Sequence, residues 1–134
     1  MVIYHISGRF IRRVRERNYI SVKRYLKNYK FNAHTCNKVL YDSVINQDDK
    51  MFNILLNNDM IISNITPNVC TSIILNKKKY ERKKDFNAYV RRIIFLKPSI
   101  LNNATPQDLE LIDLHTQISR LMKFYTIRKK MLKQ

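Results

Sequence analysis

The chain has 134 residues, enough for one domain with an extension, and 45% of them are apolar, enough for a core. Its 26 Lys and Arg stand against 10 Asp and Glu, a net charge of +16, and self-repulsion on that scale is common where a polyanion supplies the counter-charge. The single glycine excludes a Gly-rich phosphate loop, and no apolar run approaches the roughly 18 residues of a membrane span.

Taken in order, Met1 to Ile6 alternates Val2, Tyr4 and Ile6 and fits either a strand or an unfolded lead. The segment from Arg9 to Asn28 then spaces Phe10 and Val14 along one helical face, with Arg9, Arg12, Arg13, Arg15 and Arg17 over the remaining circumference. Between Met1 and Lys30 only Glu16 opposes these charges, so the guanidinium forks are expected on phosphate oxygens. Asn18 ends this helix and Ser21 is expected to cap the next, with Lys23, Arg24 and Lys27 outward and Val22, Tyr25, Leu26 and Tyr29 inward. The least charged stretch, Asn37 to Leu56, reads as a helical hairpin whose core Val14, Ile20, Val22, Tyr25 and Leu26 are expected to complete. Val39, Leu40, Ser43 and Val44 form one stripe, Met51, Phe52, Leu55 and Leu56 the other, and Asp48 or Asp49 caps the second helix.

Met60 to Ile65 is β-prone up to Thr66-Pro67, and Asn68 to Leu75 fits a short helix or strand. Lys77, Lys78, Lys79, Arg82, Lys83 and Lys84 form an exposed basic run, with Tyr80 and Phe86 interleaved as stacking or anchoring rings. Asp85 to Leu96 resumes helical spacing with Arg91 and Arg92 opposite its apolar side, and Lys97-Pro98 stops it. Thr105-Pro106-Gln107-Asp108 opens a helix whose stripe runs from Leu109 to Tyr125, followed by a basic tail. By segment the charge is +8 for Met1 to Lys30, −2 for Phe31 to Asn76, +7 for Lys77 to Lys97 and +3 beyond: a near-neutral core between basic arms.

Residues with the spacing for catalysis are missing. His5, His34 and His115 are scattered, and His34 with Cys36 supplies two metal ligands without a second pair, so no metal and no cofactor is expected. Cys36 and Cys70 lack paired spacing and read as reduced intracellular thiols. Ile, Asn, Lys and Tyr fill 54 of 134 positions, a bias toward AT-rich codons that suggests an organelle, certain protists or a large DNA virus.

The run N-Y-I-S-V-K-R-Y-L from Asn18 to Leu26, with Lys38-Val39-Leu40, Asp42, Val44-Ile45, Asp48, Phe52 and Leu55, resembles the C-terminal half of the bacterial-type large-subunit ribosomal protein "L-twenty" family. The likeness spans roughly Arg9 to Leu56, with a one-residue length change between Lys27 and Asn37. It lacks that family's long basic N-terminal helix and adds some seventy residues after Leu56. The resemblance implies an all-α domain on large-subunit ribosomal RNA, beside neighbouring ribosomal proteins, in the mitochondrial matrix. The expected organisation is a helical RNA-binding domain over 1–62, built round the hairpin, and a basic, mostly helical extension over 63–134. The RNA-contacting residues would be Arg9, Arg12, Arg13, Arg15, Arg17, Asn18, Ser21, Lys23, Arg24, Lys27, Lys77, Lys78, Lys79, Arg82, Lys83, Lys84, Arg91 and Arg92.

A second pattern points elsewhere. Val22 to Leu26 and Phe52 to Leu56 recur at about thirty residues, each followed by a polar step, which is similar to degenerate ankyrin-like helix pairs. That alternative is a cytoplasmic viral or protist protein-interaction module. It lacks the Thr-Pro-Leu-His step and carries more positive charge than a protein-binding repeat needs.

Overall fold

Short polar side chains open most of the helices. Asn18 accepts from the Ser21 N–H, Asn32 from Thr35, Asp48 from Met51, Asn58 from Ile61 and Thr105 from Asp108, each satisfying a donor that the first helical turn leaves free. The computed structural model of the protein describes residues 3–76, 86–117 and 120. Along these run α1 (Ile3–Arg15), α2 (Tyr19–Asn28), α3 (Ala33–Ile45), α4 (Asp49–Leu56), α5 (Asp59–Asn64), α6 (Pro67–Leu75), α7 (Phe86–Leu96) and α8 (Pro106–Thr116), with a 3-10 helix, Pro98–Asn103, between the last two. The protein is all-α, with no strand among the described residues.

Helices α1, α3, α6 and α8 pack side by side in that order, and α2, α4 and α7 lie each against its partner in the row. The first two pairs are related by a shift of thirty residues that extends to the backbone. After α1, the Arg17 N–H reaches the Val14 carbonyl at 3.1 Å and the Asn18 N–H reaches that of Arg13 at 3.0 Å. After α3, the Gln47 N–H reaches Val44 and the Asp48 N–H reaches Ser43, both at 2.9 Å. Arg17 and Gln47 both take the left-handed conformation, with φ of 59° and 53°, where helices usually place glycine. The next residue, Asn18 or Asp48, then caps the second helix of its pair.

One apolar cluster joins the row. Phe10 stacks on Phe31 with ring centroids 4.2 Å apart, Val39, Leu40, Met51, Phe52 and Leu55 are sealed at its centre, and Ile73, Val90, Ile93 and Ile112 carry it to α8. The hairpin of α3 and α4 is thus the core element that its two stripes predict. A boundary at residue 62 does not describe the molecule: it cuts α5, and α6 packs on α3 as part of the same cluster.

Several local expectations change. Helix α1 begins at Ile3, so from that residue on the N-terminal alternation is helix, neither strand nor unfolded lead. The β-prone segment from Met60 is α5, because Asn58 caps it and Ile61 and Ile65 turn into the core, a helical and not an alternating arrangement. Asn18, not Ser21, is the cap of α2, since Ser21 supplies the N–H that the cap accepts, and Tyr29, expected inward, is exposed because α2 ends before it and its backbone is extended. Gln117, at φ 53°, ends α8 at Thr116. The remainder of its expected stripe, Ile118, Leu121, Met122 and Tyr125, and the basic tail lie outside the described residues.

Leu40 and Phe52 have no solvent exposure, so Leu40→Ala is expected to cost about 2–5 kcal/mol and Phe52→Ala about 3–5 kcal/mol in denaturant unfolding. Gln47→Gly acts in the opposite direction. It relieves the left-handed side-chain penalty and is expected to gain about 0.5–1 kcal/mol after the added freedom of the unfolded chain is set against it.

Candidate interaction surface

The arginines of α1 divide into two classes. Arg13 pairs with Glu16 at 3.1 Å, Arg15 with Asp42 of α3 at 3.0 Å, and Arg17 lies 3.9 Å from the Asp48 carboxylate while donating to the Asn46 carbonyl at 3.1 Å. Glu16 is therefore not the only carboxylate these cations meet, because packing brings Asp42 and Asp48 to them. Arg9 and Arg12 are exposed and have no ion pair among the described residues, and the same holds for Lys23, Arg24 and Lys27 on α2. Asn18 and Ser21, expected to touch RNA, bond to each other across the start of α2. On α7, Arg92 lies over the Phe52 ring, 5.0 Å from its centroid, and donates to Asn53, while Arg91 is half-buried. Lys77, Lys78, Lys79, Arg82, Lys83 and Lys84 lie outside the described residues.

Asp48 connects the two turns. One oxygen accepts from the Met51 N–H at 3.1 Å and from the Tyr19 hydroxyl at 2.9 Å; the other is buried without a hydrogen bond and is compensated by the Arg17 charge. The bond to Asp48 and then burial raise the Tyr19 hydroxyl above its ordinary pKa. Burial and then a hydrogen bond to Asp49 raise Tyr89, and burial lowers Lys97, whose ammonium donates to the Ser63 and Ile65 carbonyls.

Two grooves open on this framework. The first, about 590 Å³, lies where α1 turns into α2, against the start of α4. Arg13, Arg17, Lys23 and Lys50 line it with Glu16 as the only acid, and Ile20 on its wall is 75% exposed. The ammonium of Lys50 sits 4.6 Å from the centre of the Tyr19 ring. The second groove, about 460 Å³, runs between α3 and α6, lined by His34, Asn37, Lys38 and Tyr41 on one side and Asn68, Val69, Ser72, Leu75 and Asn76 on the other. Its floor is tied by paired hydrogen bonds between Asn37 and Thr66, and by the bond from Asn76 to the Tyr41 hydroxyl.

Family models, curated proteins and solved structures give no match to the chain. The site is accordingly read from its own chemistry. Of the residues expected to bind RNA, the fold gathers Arg13, Arg17, Asn18 and Lys23 at the first groove and leaves Arg9, Arg12, Arg24 and Lys27 outside its lining. Sequence reasoning missed Tyr19, Ile20 and Lys50 as parts of one site, and Ile20, expected in the core, is instead exposed because it lies on the side of α2 opposite the buried Val22. The signal that reaches them is the thirty-residue shift, which sets the turn of the second pair beside that of the first. No group of three or more His, Cys, Asp or Glu able to hold a metal occurs among the described residues, and no described helix is long and apolar enough to cross a membrane.

Both cysteines are buried and free, and burial pushes their thiols up to about 11 for Cys36 and about 12 for Cys70. Neither is expected to react with a disulfide exchange reagent at neutral pH in the native protein, and both should react once it is unfolded. The unfolded thiol ionises near its ordinary 9.0 and the folded one stays neutral, so this contribution to stability is complete below pH 9 and declines as pH rises toward 11. Urea titrations across that interval check the sign.

Proposed function

We propose that this protein is a helical-repeat binding module with no catalytic role, recognising a partner protein through the turns and exposed faces of its stacked pairs. The observation that carries the reading is the thirty-residue equivalence of α1–α2 and α3–α4 in helix, left-handed cap and side-chain cap. Stacked pairs of this kind repeat the same turn along one side of the molecule and so build an extended surface suited to another chain. This is the plan of the ankyrin-like alternative, reached with Asn and Asp caps and almost no glycine.

A second reading is favoured by a different observation. Arg9, Arg12, Lys23, Arg24 and Lys27 are exposed without ion pairs among the described residues, as cations that meet phosphates would be. On that reading the protein is a constituent of an organellar large ribosomal subunit, in line with the resemblance over Arg9 to Leu56.

Affinity purification of the tagged full chain from cells that express it, with and without ribonuclease, separates the two. The module reading expects a stoichiometric protein partner that survives ribonuclease. Recovery of large-subunit ribosomal RNA, with every associated protein lost on digestion, would overturn it in favour of the second. Binding to that RNA would then fall with salt at a log–log slope of about −4 to −9, as six to ten phosphate contacts require.

A further inference from the structure

Of these grooves, the α3–α6 one has Val69 and the exposed Leu75 beside its polar side chains, but its one cation, Lys38, is already paired with Asp42, so no free charge along it selects an occupant. The groove at the α1–α2 turn does. Four cations, Arg13, Arg17, Lys23 and Lys50, converge on it against one carboxylate, and two of the four already have acidic partners within the chain. Lys23 has no ion pair among the described residues, and Lys50 faces only the π-cloud of Tyr19. The site therefore holds positive charge that the fold itself does not neutralise.

We propose that this groove is the docking site for an acidic peptide segment of a partner protein, with Lys23 and Lys50 meeting its carboxylates and Ile20 receiving an apolar side chain between them. The proposal rests on the reading of the protein as a binding module and names the chemistry of its partner. A second copy of the chain is disfavoured as occupant by net charge, since +16 meets +16. Two features favour a peptide over nucleic acid. Ile20 is 75% exposed on the wall of the groove, an apolar contact that a phosphodiester backbone leaves unused and a Leu or Phe side chain covers. The one aromatic ring in the lining, Tyr19, has Lys50 over its face and donates its hydroxyl to Asp48, so that face is not open for a base to stack on.

The test is fluorescence anisotropy on the full chain with three probes: a labelled Asp/Glu-rich peptide with one central Leu, the same peptide with Ala in its place, and a single-stranded RNA of equal charge. Lys23→Glu/Lys50→Glu is compared with Arg24→Glu/Lys27→Glu, which changes the net charge equally outside the groove lining. Both alter exposed positions, and a glutamate in the first turn of α4 suits the helix dipole. Peptide binding is expected to weaken at least about tenfold in the groove variant and no more than about threefold in the control, since screened charge outside the site acts weakly. Ile20→Ala should weaken the Leu peptide by about fivefold and leave the Ala peptide unchanged. The RNA should respond equally to both double variants. Should the reversal disturb folding, Lys23→Gln/Lys50→Gln takes its place with the same ordering.

Equal loss of peptide binding in both double variants, or a selective effect of the groove variant on RNA alone, overturns the proposal. A ribonuclease-resistant partner that binds Lys23→Glu/Lys50→Glu as well as the unaltered chain also overturns it, while leaving the module reading intact. Loss of that partner together with the acidic peptide supports both.

Discussion

Helix α3 is packed by α1, α4, α5 and α6, and a helix enclosed on that many sides has little room for solvated charge. That constraint accounts for much of the molecule's charge distribution. Taking an ion out of water costs several kcal/mol unless a partner compensates it. Each of the two ionised side chains on α3 has such a partner: Lys38 lies 3.2 Å from Asp42, and Asp42 also meets Arg15 of α1 at 3.0 Å. Cations without an ion pair among the described residues lie outside α3, Arg9 and Arg12 on α1 and Lys23, Arg24 and Lys27 on α2 among them. The near-neutral charge of this centre is thus one consequence of burial, whether or not a polyanion is bound.

The turns within the first two pairs, and the end of α8, do without glycine at its usual place. Arg17, Gln47 and Gln117 all adopt the left-handed conformation with side chains that disfavour it. After Arg17 and Gln47, what holds the chain is the pair of reverse hydrogen bonds to the preceding helix and then the Asn or Asp cap of the next. Asp48 does most, since its carboxylate caps α4, accepts from Tyr19 and lies beside Arg17, fastening the first turn to the second. Its partners in the first pair are 29 and 31 residues away, so the thirty-residue repeat is locked through side chains as well as through helix stacking.

This division changes what the arginine-rich helix means. Arg15 and Arg17 reach across to α3 and the turn after it, and so act as ties between pairs. Arg9 and Arg12, one helical turn apart, remain outward. Charge reversal along this helix would mix two effects, loss of pair-to-pair contact and loss of partner contact. Lys23 and Lys50 are free of that ambiguity, because neither makes an ion pair within the described chain.

Much of the secondary structure was legible in the sequence because its signals are local. The stripes of Val39, Leu40 and Val44 and of Met51, Phe52 and Leu55, the Asp48 and Thr105 caps and the stop at Lys97-Pro98 each depend on neighbours within a few residues, and the helices formed there. Where a local signal was ambiguous, as in Met60 to Ile65, β-branched residues suggested extended chain, and tertiary burial of Ile61 and Ile65 settled it as helix. The sequence also carried the thirty-residue recurrence of Val22 to Leu26 and Phe52 to Leu56, but not its depth, because the matching left-handed caps fall on Arg17 and Gln47, residue types that do not announce them. What only the tertiary structure decided is which charges are spent inside the molecule. Arg15 with Asp42, Arg17 with Asp48 and Lys50 over Tyr19 join residues 27 to 31 positions apart. A count of charges along the chain cannot separate such pairs from free cations, because pairing depends on which helices lie side by side.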